Sequence, residues 1–353
     1  MGGIRLVGLI RTRWISQSVL AAALLASIAV GCSSSPTAPT PTPPPTPIPA
    51  PTPDPDPPTL TCPAPVTAST TATNGTTVTF GTPAIASGKE PVTVACTPAS
   101  GSMFPIGATT VNCTATDSLN RTNSCSFTVT VSRTPQLTLT KFLAFGDSIT
   151  AGEVSFPITG IFPQRGSEPS FRLRVVDATS YPTVLRNLLT ARYTAQAPNI
   201  TVINEGLPGE KVRDSLTLTR FSNALANRRP EVVLIMHGYN DIENPGVITA
   251  SVNAVDAMMA EARNRRVGRV FVISLAPGRP GSGARPTSSI VAFNDRLMRA
   301  AAGEGAVYVD IYSAMQSNAT TFIGVDGLHP NEAGYRKIAE TVLAAIQANL
   351  EVR

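Results

Sequence analysis

Three short stretches of the chain carry side chains that could act together on a carbonyl group. Gly146-Asp147-Ser148 follows an apolar run and sets a hydroxyl among small residues. Asp326-Gly327-Leu328-His329 spaces a carboxylate three residues before an imidazole, close enough to reach Nδ1 across one turn. The chain holds only 2 histidines, so one of them falling beside a suitable aspartate carries weight. Acyl transfer needs a nucleophile, a base to take its proton, a group that orients the base, and donors for the developing oxyanion. Ser148, His329 and Asp326 fit the first three roles. A backbone N–H at a glycine of "INEGLPGEK" and the Asn240 amide of "MHGYND" fit the fourth. Asp147 is expected to tie down its own loop, and His237 to be structural or substrate-lining. No HExxH, CxxC or acidic cluster calls for a metal, and no strand-linked GxGxxG calls for a nucleotide, so no cofactor is expected.

These side chains need elements to position them. From Leu139 onward, apolar runs at Phe142–Phe145, Ile200–Ile203, Val232–Met236, Val270–Leu275 and Val307–Val309 read as buried strands. Helical patterns at Tyr181–Tyr193, Val212–Ala226, Val247–Arg265, Thr287–Ala302 and Asn331–Leu350 alternate with them. Such alternation predicts a five-stranded parallel sheet with helices on both faces. Folds of this kind bind ligands beyond the carboxyl ends of their strands, where Ser148 would lie. Residues 153–180 read as a long loop, and "APGRPGSGARP" as a second one after the fourth strand; both are expected to overhang the site.

In chain order, "GDSIT", "NEGLPG", "GYND" and "DGLH" resemble the four blocks of the SGNH (GDSL) hydrolase family, and the likeness covers residues 137–353. It implies a flavodoxin-like α/β fold. By position it makes Ser148 the nucleophile, with its own N–H in the oxyanion hole, and Asp326 and His329 the rest of the triad. Gly209 would give a second N–H, with Gly206 the neighbouring alternative, and Asn240 the side-chain donor. The family cleaves phospholipids, thioesters, aryl esters and acetylated sugars with one triad, so the ester stays open. The expectation is a surface-tethered serine ester hydrolase. The alternatives are a carbohydrate O-acetylesterase of the same family and a non-catalytic adhesion or carbohydrate-binding lipoprotein. Retention of Ser148, Asn240, Asp326 and His329 together speaks against the last.

The amino-terminal third reads differently. Residues 1–31 combine arginines with "VLAAALLASIAVG", an export signal. It ends at "AVGC", which resembles a bacterial lipobox, so Cys32 is expected to be acylated and to anchor the protein to the cell envelope. Residues 32–58 form a Pro/Thr-rich stalk, in which the 26 residues of Ser33–Pro58 in polyproline II would span about 80 Å. Residues 59–133 alternate with period two in short Val/Thr-rich runs, the pattern of a small β-sandwich. Cys62, Cys96, Cys113 and Cys125 all fall inside it and read as two disulfides. Three connectivities are open; Cys62–Cys125 with Cys96–Cys113 is favoured, because first and last strands of a sandwich often adjoin. The segment resembles the hyalin-repeat (HYR) module, an immunoglobulin-like accessory domain. That likeness implies no catalytic residue, only a spacer or docking role. The formal charge of +5 drops by three, to +2, without Arg5, Arg11 and Arg13, and no dense basic run suggests nucleic acid. The expected partners are an ester substrate and a membrane.

Overall fold

The computed structural model describes residues 54–158, 171–243 and 245–352. The export signal, Cys32 and nearly all of the stalk lie outside the described residues.

In the small module, strands β1 (Val66–Thr70), β2 (Thr93–Thr97), β3 (Gly107–Thr116) and β4 (Thr122–Arg133) form a sheet in the order β1-β4-β3-β2. A second ribbon, Thr76–Val78 against Ser102–Phe104, closes over it. Alternate residues Val111, Cys113, Phe127, Val129 and Val131 point inward with Val78 and Phe104, as the period-two pattern requires. Cys62 is bonded to Cys125 and Cys96 to Cys113. The expected stalk boundary at residue 58 moves back. Arg121 Nη1 donates to Pro55 O at 2.9 Å, Ser87 Oγ donates to Pro57 O at 2.7 Å, and Pro58 is buried.

In the larger part, five parallel strands alternate with helices. The strands are β5 (Lys141–Gly146), β8 (Thr201–Gly206), β9 (Val232–Met236), β10 (Arg269–Ile273) and β11 (Val307–Val309). Their order is β8-β5-β9-β10-β11, so the first strand lies between the second and third. Phe142 to Phe145 and Val232 to Met236 are buried on both faces, which explains why they are continuous apolar runs. The helices are α2 (Tyr181–Arg192), α3 (Thr217–Arg228), α4 (Ile248–Asn264), α5 (Thr287–Glu304) and α6 (Glu332–Leu350), with a single turn, α1 (Ser148–Ala151), after β5. The strand order reverses between β5 and β9, and the crevice at such a switch point is where these sheets bind ligands.

Two sequence expectations are corrected. Residues 153–180 are not simply loop: β6 (Glu153–Pro157) and β7 (Phe171–Val175) pair as an antiparallel hairpin. Helix α3 begins at Thr217 rather than Val212. The buried Asp241 carboxylate takes the Val212 and Arg213 N–H groups at 2.8 and 3.3 Å and so holds that segment out of the helix. At the amino edge of the sheet, Gln136–Leu137 pairs antiparallel with Glu351–Val352.

Candidate active site

Strand β5 ends at Gly146, where a Cβ would lie 2.0 Å from Met236 O; only glycine lets β5 and β9 meet so closely. Asp147 then caps α1, its carboxylate accepting from Ile149 N at 3.1 Å. Ser148 is the first helical residue, so its N–H has no acceptor within the turn. Gly152 closes the turn at φ +90°. On the opposite side, the loop before α6 carries Asp326 and His329.

These loops meet. Ser148 Oγ lies 2.9 Å from His329 Nε2, and His329 Nδ1 lies 2.5 Å from Asp326 Oδ2. All three residues are buried. Burial works to raise the Asp326 pKa, but its bond to His329, then that charge, Ser155 Oγ and the Leu328 N–H outweigh it and leave the carboxyl lowered. Asp326 Oδ1 accepts from Ser155 Oγ at 2.9 Å and from His329 N at 3.2 Å. An imidazole between a hydroxyl and a fixed carboxylate is arranged to remove a proton from the hydroxyl.

The two glycines considered as donors differ. Gly206 presses on the α1 turn, where a Cβ would lie 2.1 Å from Ala151 N, and its own N–H is bonded to Asn204 Oδ1 at 3.0 Å. Gly209 sits at φ +79° with open space where a Cβ would point. Asn240 Nδ2 donates to Glu210 O at 3.0 Å, which ties the loop after β9 to the loop of Gly209.

His237 does not reach this centre. Its side chain is buried, with Nε2 3.0 Å from Glu210 Oε2 and Nδ1 3.8 Å from Asp147 Oδ2. Glu210 also pairs with Arg220, whose guanidinium lies 3.9 Å from the Phe145 ring centroid. Burial opposes the Glu210 charge, but the His237 and Arg220 hydrogen bonds prevail and bring its pKa down to about 2. Asp147 is shifted the other way: burial raises its pKa against the pull of His237. The expected loop after β10 packs on the acid loop, with Gly283 N donating to Asp326 O at 2.8 Å. Its arginines are held internally, Arg279 by Thr320 O and Arg285 by Glu243.

Sequence reasoning missed Glu153, Ser155, Glu210 and Arg220. Glu153 Oε2 stands 3.2 Å from His329 Nε2. None of the four belongs to a local pattern that ties it to its partner. Among the described residues, no group of three or more His, Cys, Asp or Glu could hold a metal ion.

Comparison with known proteins adds the lineage. Residues 53–131 match the HYR domain and residues 144–337 the GDSL-like Lipase/Acylhydrolase family. A multidomain esterase of Ruminococcus flavefaciens is 26% identical over 128 residues, 35% of this chain; the match spans only 16% of that relative's length. Among solved structures, an aryl esterase of M. smegmatis is 21% identical with a TM-score of 0.44, covering 59% of this chain and 99% of that one. An acetylxylan esterase of Geobacillus stearothermophilus is 22% identical with a TM-score of 0.44, covering 59% and 94%. The family match takes in Ser148, Gly209, Asn240, Asp326 and His329 and spans more than half of the chain, and on it the chain belongs to the GDSL-like Lipase/Acylhydrolase family.

Proposed function

We propose that the protein is a serine ester hydrolase working through an acyl-enzyme. The observation that carries this is the unbroken line from Ser148 Oγ through His329 to Asp326, with contacts of 2.9 and 2.5 Å. His329 Nε2 takes the Ser148 proton as Oγ attacks the ester carbonyl, and the Asp326 carboxylate balances the charge formed on the ring. The Ser148 N–H, the Gly209 N–H and Asn240 Nδ2 donate to the oxyanion. Nε2 then protonates the leaving alcohol, and water repeats the sequence to release the acid.

Export and attachment to a membrane through an acylated Cys32 belong to the same proposal, supported by the "VLAAALLASIAVGC" segment. The HYR-like module serves in it as spacer or docking unit. The test is turnover of a short p-nitrophenyl ester together with labelling by a fluorophosphonate. Label on Ser148 that abolishes turnover is expected; turnover that survives Ser148→Ala would exclude this mechanism.

A further inference from the structure

Glu153 has no part in the scheme above, yet its carboxylate touches the proton-carrying atom. Oε2 is 3.2 Å from His329 Nε2, and the side chain is only 15% exposed. Its backbone is fixed: Tyr335 Oη donates to Glu153 O at 2.6 Å, and Glu153 pairs with Val175 across the hairpin. No lysine or arginine among the described residues pairs with the carboxylate. The His329 ring is the basic group it faces.

When Nε2 hands its proton to the leaving alcohol, that oxygen must come within hydrogen-bond reach of Nε2. It then lies within about 6 Å of Glu153 Oε2, a gap that one further polar group on the alcohol can bridge. A carboxylate can only accept, so its complement there is a hydrogen-bond donor, which on an alcohol carrying no nitrogen is a second O–H. An alcohol without a donor would cover the carboxylate and leave it unpaired, and an anionic one would be repelled. Apolar surface adjoins this acceptor. Directly opposed residues of an antiparallel pair share a face, so Val175 and Leu173 stand on the side of the hairpin that carries Glu153 and Ser155. They are 45% and 44% exposed and offer cover for the C–H edge of a ring.

Resting on the hydrolase reading above, we propose that Glu153 is a specificity-determining residue that accepts a hydrogen bond from a hydroxyl adjacent to the ester oxygen. The favoured leaving group is therefore a vicinal polyol. Proton accounting is unchanged: the Ser148 Oγ–C bond forms, the ester C–O bond breaks, and the Ser148 proton reaches the leaving oxygen through Nε2. Glu153 exchanges no proton.

The test compares cyclohexyl acetate with trans-2-hydroxycyclohexyl acetate on the full-length protein, each kcat/KM divided by the rate constant for hydroxide. Wild type should favour the hydroxy ester by about 10- to 100-fold, the range for a hydrogen bond to a charged group. Glu153→Ala should bring that ratio close to one, and Glu153→Gln, whose amide oxygen still accepts, should fall between. A wild type active on both esters without preference overturns the proposal and leaves the hydrolase reading intact. So does a preference that survives Glu153→Ala, or equal losses on both esters, which would mark a group that merely orients His329. If Glu153→Ala is inactive on both, an unchanged ratio in Glu153→Gln overturns it. A wild type inert on both esters sinks the hydrolase reading and this inference with it.

Discussion

Ser148 and His329 are joined by one hydrogen bond, so their loss should not be additive. Ser148→Ala and His329→Ala should each lower kcat by roughly 10⁴-fold or more, and the double variant should be scarcely worse than either. Steady-state kinetics of the three proteins check this, and losses that multiply would mean the residues do not act as a unit. Asn240→Ala should lower kcat by roughly 10²–10³ with KM little changed, since an oxyanion donor acts mainly in the transition state. A change confined to KM would assign Asn240 to ground-state binding. Ser148, Asp326 and His329, which the structure brings together, each sit in a short block that singled them out in the sequence, as does Asn240. Ser155 was not: it meets Asp326 across 171 residues, and nothing in "EVSFP" announces the meeting. Glu210 was equally silent, because the His237 and Arg220 side chains that occupy it come from other elements.

The elements were legible where burial dictates composition. Val232–Met236 is the same segment in sequence and structure, since a strand covered on both faces must be apolar throughout. The β6–β7 hairpin was hidden because Phe171–Val175 is largely exposed and alternates arginine with apolar residues, so no core-facing stripe marks it. The loop from β8 to α3 carries a prediction of its own. The Glu210 carboxyl, at about 2 in the folded protein, would sit near 4.3 in the unfolded chain. A lowered carboxyl stabilises the fold above its unfolded value, and that contribution is lost as pH falls through the folded one. Asp326 is shifted in the same direction. Unfolding free energy should therefore drop between about pH 4.3 and 2, and Glu210→Gln should flatten that drop. Urea titrations at several acid pH values measure it; identical slopes would remove Glu210 from the account.

At the scale of the molecule, the module core around Phe104 and Val129 and the hydrolase core around Phe145 and Val233 are separate clusters. A fragment beginning at Thr134 should fold alone and keep kcat on a small soluble ester, as scanning calorimetry and kinetics would show. It contains no cysteine, so reductant should leave its Tm unchanged. The module should lose on the order of 3 kcal/mol or more per disulfide, whose closed loops span 17 and 63 residues. An insoluble or inactive fragment would make the module part of the catalytic unit. The sequence left its disulfide pairing open for a geometric reason: Cys113 stands opposite both Cys96 and Cys125 in the sheet, so spacing alone does not choose. One strand pairing in the hydrolase part bears on how the enzyme can be handled. Because Gln136–Leu137 lies beside Glu351–Val352, the backbone enters and leaves the hydrolase at one pole, and Ser148 lies just past the far end of β5. Whatever is fused before Gln136 or after Val352, be it a bead, a surface or a second enzyme, is therefore attached at the end of β5 away from Ser148.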